Sequence, residues 1–126
     1  MTTVYDAGVL IAADRNDRQV WADHRARLEV GLVPVTTAPV VAQASRSPRQ
    51  VQLRRFLRGC NVVSFDAAQG HAVGALLAKS ATTDIVDAHL AVLASRTGSV
   101  VITSVPDDLR ALAAHLKPRI TIRTMA

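Results

Sequence analysis

The sequence predicts an α/β domain built on a mostly parallel sheet of about five strands, with helices packed on its faces. Short apolar runs of four to six residues alternate along the chain with longer segments that have helical periodicity. Turn and cap residues separate the two kinds of segment, and this alternation is typical of parallel βαβ units. No linker, repeat or change of composition divides the chain, so residues 1–126 are expected to form a single domain.

Local start and stop signals define the predicted elements. Thr37 caps a helix that has Pro39 in its first turn, and Ser47 followed by Pro48 repeats the signal. Gly98 is a typical helix end. The predicted strands are residues 2–5, 33–36, 61–65, 99–103 and 119–124, and the predicted helices are residues 9–14, 17–30, a segment from 37, 47–58, 67–79, 84–97 (capped by Thr82 or Thr83) and 106–116.

The composition excludes several classes of protein. With 49% hydrophobic and 20% charged residues the chain is globular and not disordered. Cys60 is the one cysteine and cannot form an internal disulfide, which favours a reducing compartment. Asp6 lies where a secretion leader would be basic, and no apolar run approaches the ~18 residues of a membrane span. We therefore expect a cytoplasmic protein with no membrane association.

The charge balance favours a polyanionic partner. The chain has 15 Lys and Arg against 10 Asp and Glu, a net charge of +5, and 13 of the cations are arginines. The forked guanidinium binds two phosphate oxygens at once. A high-GC genome would also enrich arginine, but the attraction to RNA holds whatever the origin of the bias. Arg46 and Arg49 are the predicted RNA contacts, ahead of Arg54, Arg55 and Arg58, which also suit a solvated helix face.

Three acids are predicted to meet at one edge of the sheet. Sites in open α/β sheets lie outside the carboxyl ends of the strands. Asp6 ends the first predicted strand, and Asp84 and Asp87 share one face at the start of a helix. Clustered carboxylates repel one another, and Mg²⁺ resolves this while keeping waters for catalysis. Taken singly, Asp84 also suits a helix start, as do Asp107 and Asp108 after Pro106.

Three segments in order resemble the PIN-domain ribonucleases, most closely the VapC-type toxins of toxin–antitoxin pairs. They are residues 4–12, with Asp6 as a metal ligand; residues 83–91, with Asp84 and Asp87; and residues 100–109, which include Thr103 and Ser104. The resemblance covers nearly the whole chain and implies a PIN-like three-layer fold. It also implies Mg²⁺, or Mn²⁺, as cofactor, RNA as substrate (tRNA is one candidate), a VapB-type antitoxin and a homodimer.

Two positions depart from the family pattern. Gln43 stands where members often have an acid, and Val105 stands where an aspartate usually follows Thr-Ser. The predicted metal and catalytic residues are therefore Asp6, Asp87 and Asp84, with Gln43, Ser104 and Thr103 as neutral supporting contacts. The predicted function is a Mg²⁺-dependent endoribonuclease toxin. The alternative is a catalytically weakened or dead PIN-fold module that binds RNA or antitoxin without cutting.

Other reactive side chains carry less weight. His24, His71, His89 and His115 have no spacing typical of metal ligands, which disfavours a metal site made of histidines and leaves a histidine-based, metal-free ribonuclease as a minor alternative. Ser104 lacks the sequence of a nucleophile elbow, which argues against a serine hydrolase.

Overall fold

The computed structural model describes residues 2–125 and contains one five-stranded sheet in the order β3-β2-β1-β4-β5. Every neighbouring pair of strands is parallel, so the sheet is wholly and not mostly parallel. The strands are β1 (Thr3–Tyr5), β2 (Val35–Thr37), β3 (Asn61–Val63), β4 (Val100–Thr103) and β5 (Thr121–Thr124). The helices are α1 (Ala7–Asp14), α2 (Arg18–Glu29), α3 (Ala38–Ala44), α4 (Val51–Arg58), α5 (Ala67–Ser80), α6 (Ile85–Thr97) and α7 (Pro106–Ala113).

The helices form two groups, which gives the three layers expected from the sequence. Helix α1 packs against α2, α3 and α4, whereas α5, α6 and α7 pack against one another. The central strands β1 and β4 lie between the groups, with Val4 paired to Val101 and both side chains fully buried. Within residues 2–125, no helix is both long and apolar enough to cross a membrane.

An aromatic cluster fixes the end of β1. The ring of Tyr5 is fully buried and stacks on Phe56 at 5.4 Å between centroids. The Tyr5 hydroxyl lies 3.0 Å from Nδ1 of His24 and accepts a hydrogen bond of 3.1 Å from Arg27. Trp21 packs edge-on against Phe56 and is half-buried. Because Tyr5 is held from several directions, the position of the next residue, Asp6, is fixed as well.

One predicted helix start and one predicted helix cap are wrong. The helix predicted from Ser47 begins at Val51, because the Gln50 side chain accepts hydrogen bonds from the backbone N–H groups of Arg46 and Ser47 and holds this stretch as a turn. The helix predicted to be capped by Thr82 or Thr83 begins at Ile85 and is capped by Asp84. The other predicted boundaries differ by up to three residues, with the last strand starting at 121 and α7 ending at 113.

Candidate metal site

Asp6 lies at the carboxyl end of β1 and is only 5% exposed. Its backbone N–H donates to the carbonyl of Ile102 at 3.0 Å, which continues the pairing with β4. One carboxylate oxygen accepts from the backbone N–H of Ala7 at 2.7 Å and thereby caps α1. The other accepts from the Thr103 hydroxyl, also at 2.7 Å. The carboxylate is thus fixed in orientation, and each oxygen keeps a lone pair for a further ligand.

Thr103 connects Asp6 to the segment that follows β4. Its hydroxyl donates to Asp6 and accepts from the backbone N–H of Val105 at 3.1 Å. The adjacent Ser104 is exposed and lies against α1, so closely that a Cβ on Gly8 would stand 2.3 Å from its hydroxyl oxygen. Glycine at position 8 therefore permits the end of β4 to approach the start of α1. Of the two residues predicted as supporting contacts, Thr103 is hydrogen-bonded to Asp6 and Ser104 lies beside Gly8.

Asp84 and Asp87 lie at the start of α6. Asp84 is exposed and caps the helix, with one carboxylate oxygen 3.0 Å from the backbone N–H of Asp87. Asp87 is half-buried in the first turn. Burial, followed by the negative charges of Asp84, Asp6 and Asp108, raises the pKa of Asp87 from 3.8 to about 7.

Burial is the largest cause of the raised pKa of Asp87, and the charges of the neighbouring carboxylates add to it. Within residues 2–125 the one ion pair joins Arg110 to Asp107, so Asp6, Asp84 and Asp87 have no Lys or Arg partner there. A divalent cation would remove the repulsion, and carboxylate oxygens are the donors that Mg²⁺ prefers.

The described residues 2–125 contain no group of three or more His, Cys, Asp or Glu side chains arranged to hold one metal ion. A dedicated cage of protein ligands is therefore absent from that part of the chain. Mg²⁺ typically binds through one or two carboxylates and retains several waters. Asp6 and Asp87, which interact electrostatically, fit this mode of binding, and Asp84 lies one helical turn from Asp87.

The other predicted site residues lie in α3, which contains Gln43, and in the segment between α3 and α4, which contains Arg46 and Arg49. Gln43 and Arg46 line a cavity of about 430 Å³ together with Ile11 and Asp14 of α1. The Arg46 guanidinium is exposed and donates to the carbonyls of Ala42 and Ser45. Arg49 is exposed in the turn before α4. Metal binding by the three aspartates and RNA binding by the two arginines stay predictions.

Asp108 is the contributor that the sequence analysis did not select. It is exposed in the first turn of α7, where it suits a helix start, yet its charge reaches Asp87. The sequence feature that could have indicated this role is the position of Asp108 five residues after β4, at the same edge of the sheet. Val105, where the family pattern has an acid, is 63% exposed at this edge.

Comparison with known proteins identifies the fold. Neither the protein-family models nor the curated proteins give a match to this sequence. Several solved structures do match this chain in fold. The crystal structure of VapBC2 from Rickettsia felis bound to a DNA fragment from their promoter matches with a TM-score of 0.71 and 12% identity over 100% of both chains. DNA-bound VapBC from Salmonella typhimurium matches with a TM-score of 0.65 and 20% identity over 98% of both chains.

A third structure, PAE2754 from Pyrobaculum aerophilum, matches with a TM-score of 0.61 and 20% identity over 96% of this chain and 92% of that chain. At these identities the likeness establishes the fold, and it does so over the full described length. The five-stranded parallel sheet and its two helical layers are the PIN-like fold predicted from the resemblance, and they share this fold with the two VapBC structures.

Proposed function

We propose that this protein is a Mg²⁺-dependent endoribonuclease toxin, with Mn²⁺ as an alternative cofactor. The observation that carries the proposal is the raised pKa of Asp87, caused by burial and by the charges of Asp84, Asp6 and Asp108 at the carboxyl edge of the sheet. A carboxyl whose pKa is raised by burial and by specific neighbouring charges at such an edge marks a candidate functional site. The PIN-like fold shared with VapBC proteins supports the same conclusion.

Each residue has a distinct task in this proposal. Asp6 and Asp87 hold the cation, and Asp84 fixes the start of α6 while adding negative charge. Thr103 holds the Asp6 carboxylate in one orientation through its 2.7 Å hydrogen bond. A divalent ion bound here would supply a water of lowered pKa and neutralise charge on the phosphoryl group. Arg46 and Arg49, both exposed, would attract RNA phosphates.

The direct test is cleavage of cellular RNA by purified protein with Mg²⁺ or Mn²⁺. We expect cutting that Asp6→Asn abolishes and that Val105→Asp increases, because a further carboxylate at the exposed position 105 adds a potential ligand. Asp107→Asn is the matched control, since Asp107 is an exposed acid paired with Arg110. If the wild type and Val105→Asp are both inert and neither binds metal in calorimetry, the proposal is wrong.

A binding module without nuclease activity is the second candidate. It is favoured by the neutral Gln43 and Val105 and by the lack of a three-ligand group among residues 2–125. Such a module would bind RNA or an antitoxin and act by sequestration. Expression in a bacterium distinguishes the nuclease from the binding module. If RNA cutting causes growth arrest, Asp6→Asn relieves the arrest. If sequestration causes it, Asp6→Asn leaves the arrest unchanged.

The proposed partner is a VapB-type antitoxin, and the proposed assembly is a homodimer. Two of the similar structures are VapBC proteins bound to DNA, which supports a partner of this kind. An open reading frame for a short DNA-binding protein beside the gene, and co-purification of its product, would test the partner. Sedimentation of the isolated chain would test the dimer.

A further inference from the structure

Positive charge is present in both halves of the fold. Residues 67–125 include α5, α6, β4, α7 and β5, and they contain six Lys and Arg. The same stretch has four acids, and all four are at the carboxyl edge of the sheet described above: Asp84, Asp87, Asp107 and Asp108. Residues 1–66 have nine cations and six acids. Three of the six cations in the second half, Lys79, Arg96 and Lys117, lie together at a cavity that no acid lines.

This cavity, of about 190 Å³, lies between α5, α6 and the segment that follows α7. Its floor is apolar, with Leu76 and Val92 buried. Lys79, Arg96 and Lys117 line it and are all exposed. His115 lines it too and adds a hydrogen-bonding imidazole. No acid lines this cavity, and within residues 2–125 none of its three cations forms an ion pair.

Helix dipoles explain only part of this arrangement. Lys79 is in the last turn of α5 and Arg96 is in the last turn of α6, where a cation is favourable. That effect does not account for Lys117, which lies in the loop before β5, nor for the lack of any acid to balance the three charges. Unpaired cations around one concave surface repel one another, and an anion removes this repulsion.

We propose that this cavity, lined by Lys79, Arg96, His115 and Lys117, binds the phosphodiester backbone of a folded RNA at a site separate from the metal site. The inference rests on the proposed action on RNA. Arg96 follows Asp87 by nine residues, which places it about 13 Å further along α6 and half a turn round the helix. A short single strand at the metal site does not reach round the helix, whereas a stem-loop has the width to contact both places.

The test measures RNA binding in EDTA, so that cutting is excluded. The triple variant Lys79→Gln, Arg96→Gln, Lys117→Gln is compared with wild type on a 30-nucleotide stem-loop and on a tetranucleotide. The matched control, Arg25→Gln, Arg58→Gln, Arg123→Gln, removes the same charge from exposed positions that do not line one common cavity. We expect the cavity variant to bind the stem-loop at least tenfold more weakly, with the slope of log K against log salt reduced by about 2 to 3. The tetranucleotide and the control variant should change less than threefold.

Three results would overturn the inference. The first is an equal loss of stem-loop affinity in both triple variants, which indicates an effect of net charge alone. The others are unchanged stem-loop affinity in the cavity variant, and a loss of tetranucleotide affinity in that variant as large as its loss of stem-loop affinity. If polyglutamate binding depends on the cavity while RNA binding does not, the partner is an acidic protein and the inference fails. Nuclease activity is measured separately with Mn²⁺. A chain that never cuts but binds stem-loop RNA through the cavity refutes the proposed function and upholds this inference.

Discussion

Replacing Asp87 by asparagine should stabilise the metal-free protein at neutral pH. Burial and the charges of Asp84, Asp6 and Asp108 raise the pKa of Asp87 from 3.8 to about 7. Below about pH 4 the carboxyl is protonated in both the folded and the unfolded chain, and it contributes nothing to the pH dependence. Between pH 4 and 7 the folded chain retains a proton that the unfolded chain has lost. The free energy of unfolding therefore falls as the pH rises through this range and is constant above it.

The size of the effect follows from the shift in pKa. A shift of about three units corresponds to an upper limit of about 4 kcal/mol. Asp87 is only half-buried, so solvent screening reduces this to about 1–2 kcal/mol. Asp87→Asn removes the charge and keeps the shape. It should raise the free energy of unfolding at pH 8 by about 1–2 kcal/mol, or the Tm by about 4–8 °C.

Urea unfolding in EDTA from pH 4 to 8.5 is the assay. Wild type should lose stability between pH 4 and 7, and Asp87→Asn should lose much less. Asp107→Asn is the control, because its exposed carboxylate pairs with Arg110 and does not act on Asp87. The reasoning would be refuted if wild type and Asp87→Asn had identical pH profiles, or if Asp87→Asn were the less stable protein at pH 8. Either result would show that the ionised Asp87 carboxylate does not destabilise the fold.

Three further perturbations test the site and its surroundings. Affinity for Mn²⁺, measured by calorimetry, should rise about tenfold per pH unit up to about pH 7 and then level off, because Asp87 must lose its proton to bind the metal. The variant Asp87→Asn should remove this pH dependence. Gly8→Ala should cost about 1–3 kcal/mol in urea unfolding, because its Cβ would lie 2.3 Å from the Ser104 hydroxyl, whereas Gly70→Ala, in open space within α5, should stabilise by up to about 1 kcal/mol. His89→Leu should raise the Tm, because His89 is 1% exposed and neither ring nitrogen has a hydrogen-bond partner within residues 2–125; a lower Tm would indicate a partner such as a buried water.

The element order was predictable because each element carries its own local signal. The buried strand β4 is a continuous apolar run, and Gly98 adopts a left-handed conformation at the end of α6 as its position suggests. Ser47 gave a false start because a serine before a proline also suits a turn, and the choice depends on Gln50, whose side chain binds backbone N–H groups three and four residues earlier. Such competition between local hydrogen bonds is not visible in residue types alone.

The position of Asp6 was also predictable, since a residue that ends a central parallel strand must lie at the carboxyl edge. The contribution of Asp108 was not. Its sequence context is that of an ordinary first-turn acid, and its effect on Asp87 depends on how α7 packs against α6. The cavity that Gln43 and Arg46 share with Ile11 and Asp14 is likewise a matter of packing, because it depends on how α3 and the residues after it lie against α1.

The neutral residue at position 105 has a physical consequence for the metal-free fold. Burial, together with the charges of Asp84, Asp6 and Asp108, already raises the pKa of Asp87 to about 7. An acid at 105 would lie at the same edge, two residues from Thr103, and would add to this repulsion whenever no cation is bound. It would also strengthen cation binding, since another carboxylate oxygen would be available. Valine at this position thus favours stability of the metal-free chain over metal affinity, and the two properties should change in opposite directions when the acid is restored.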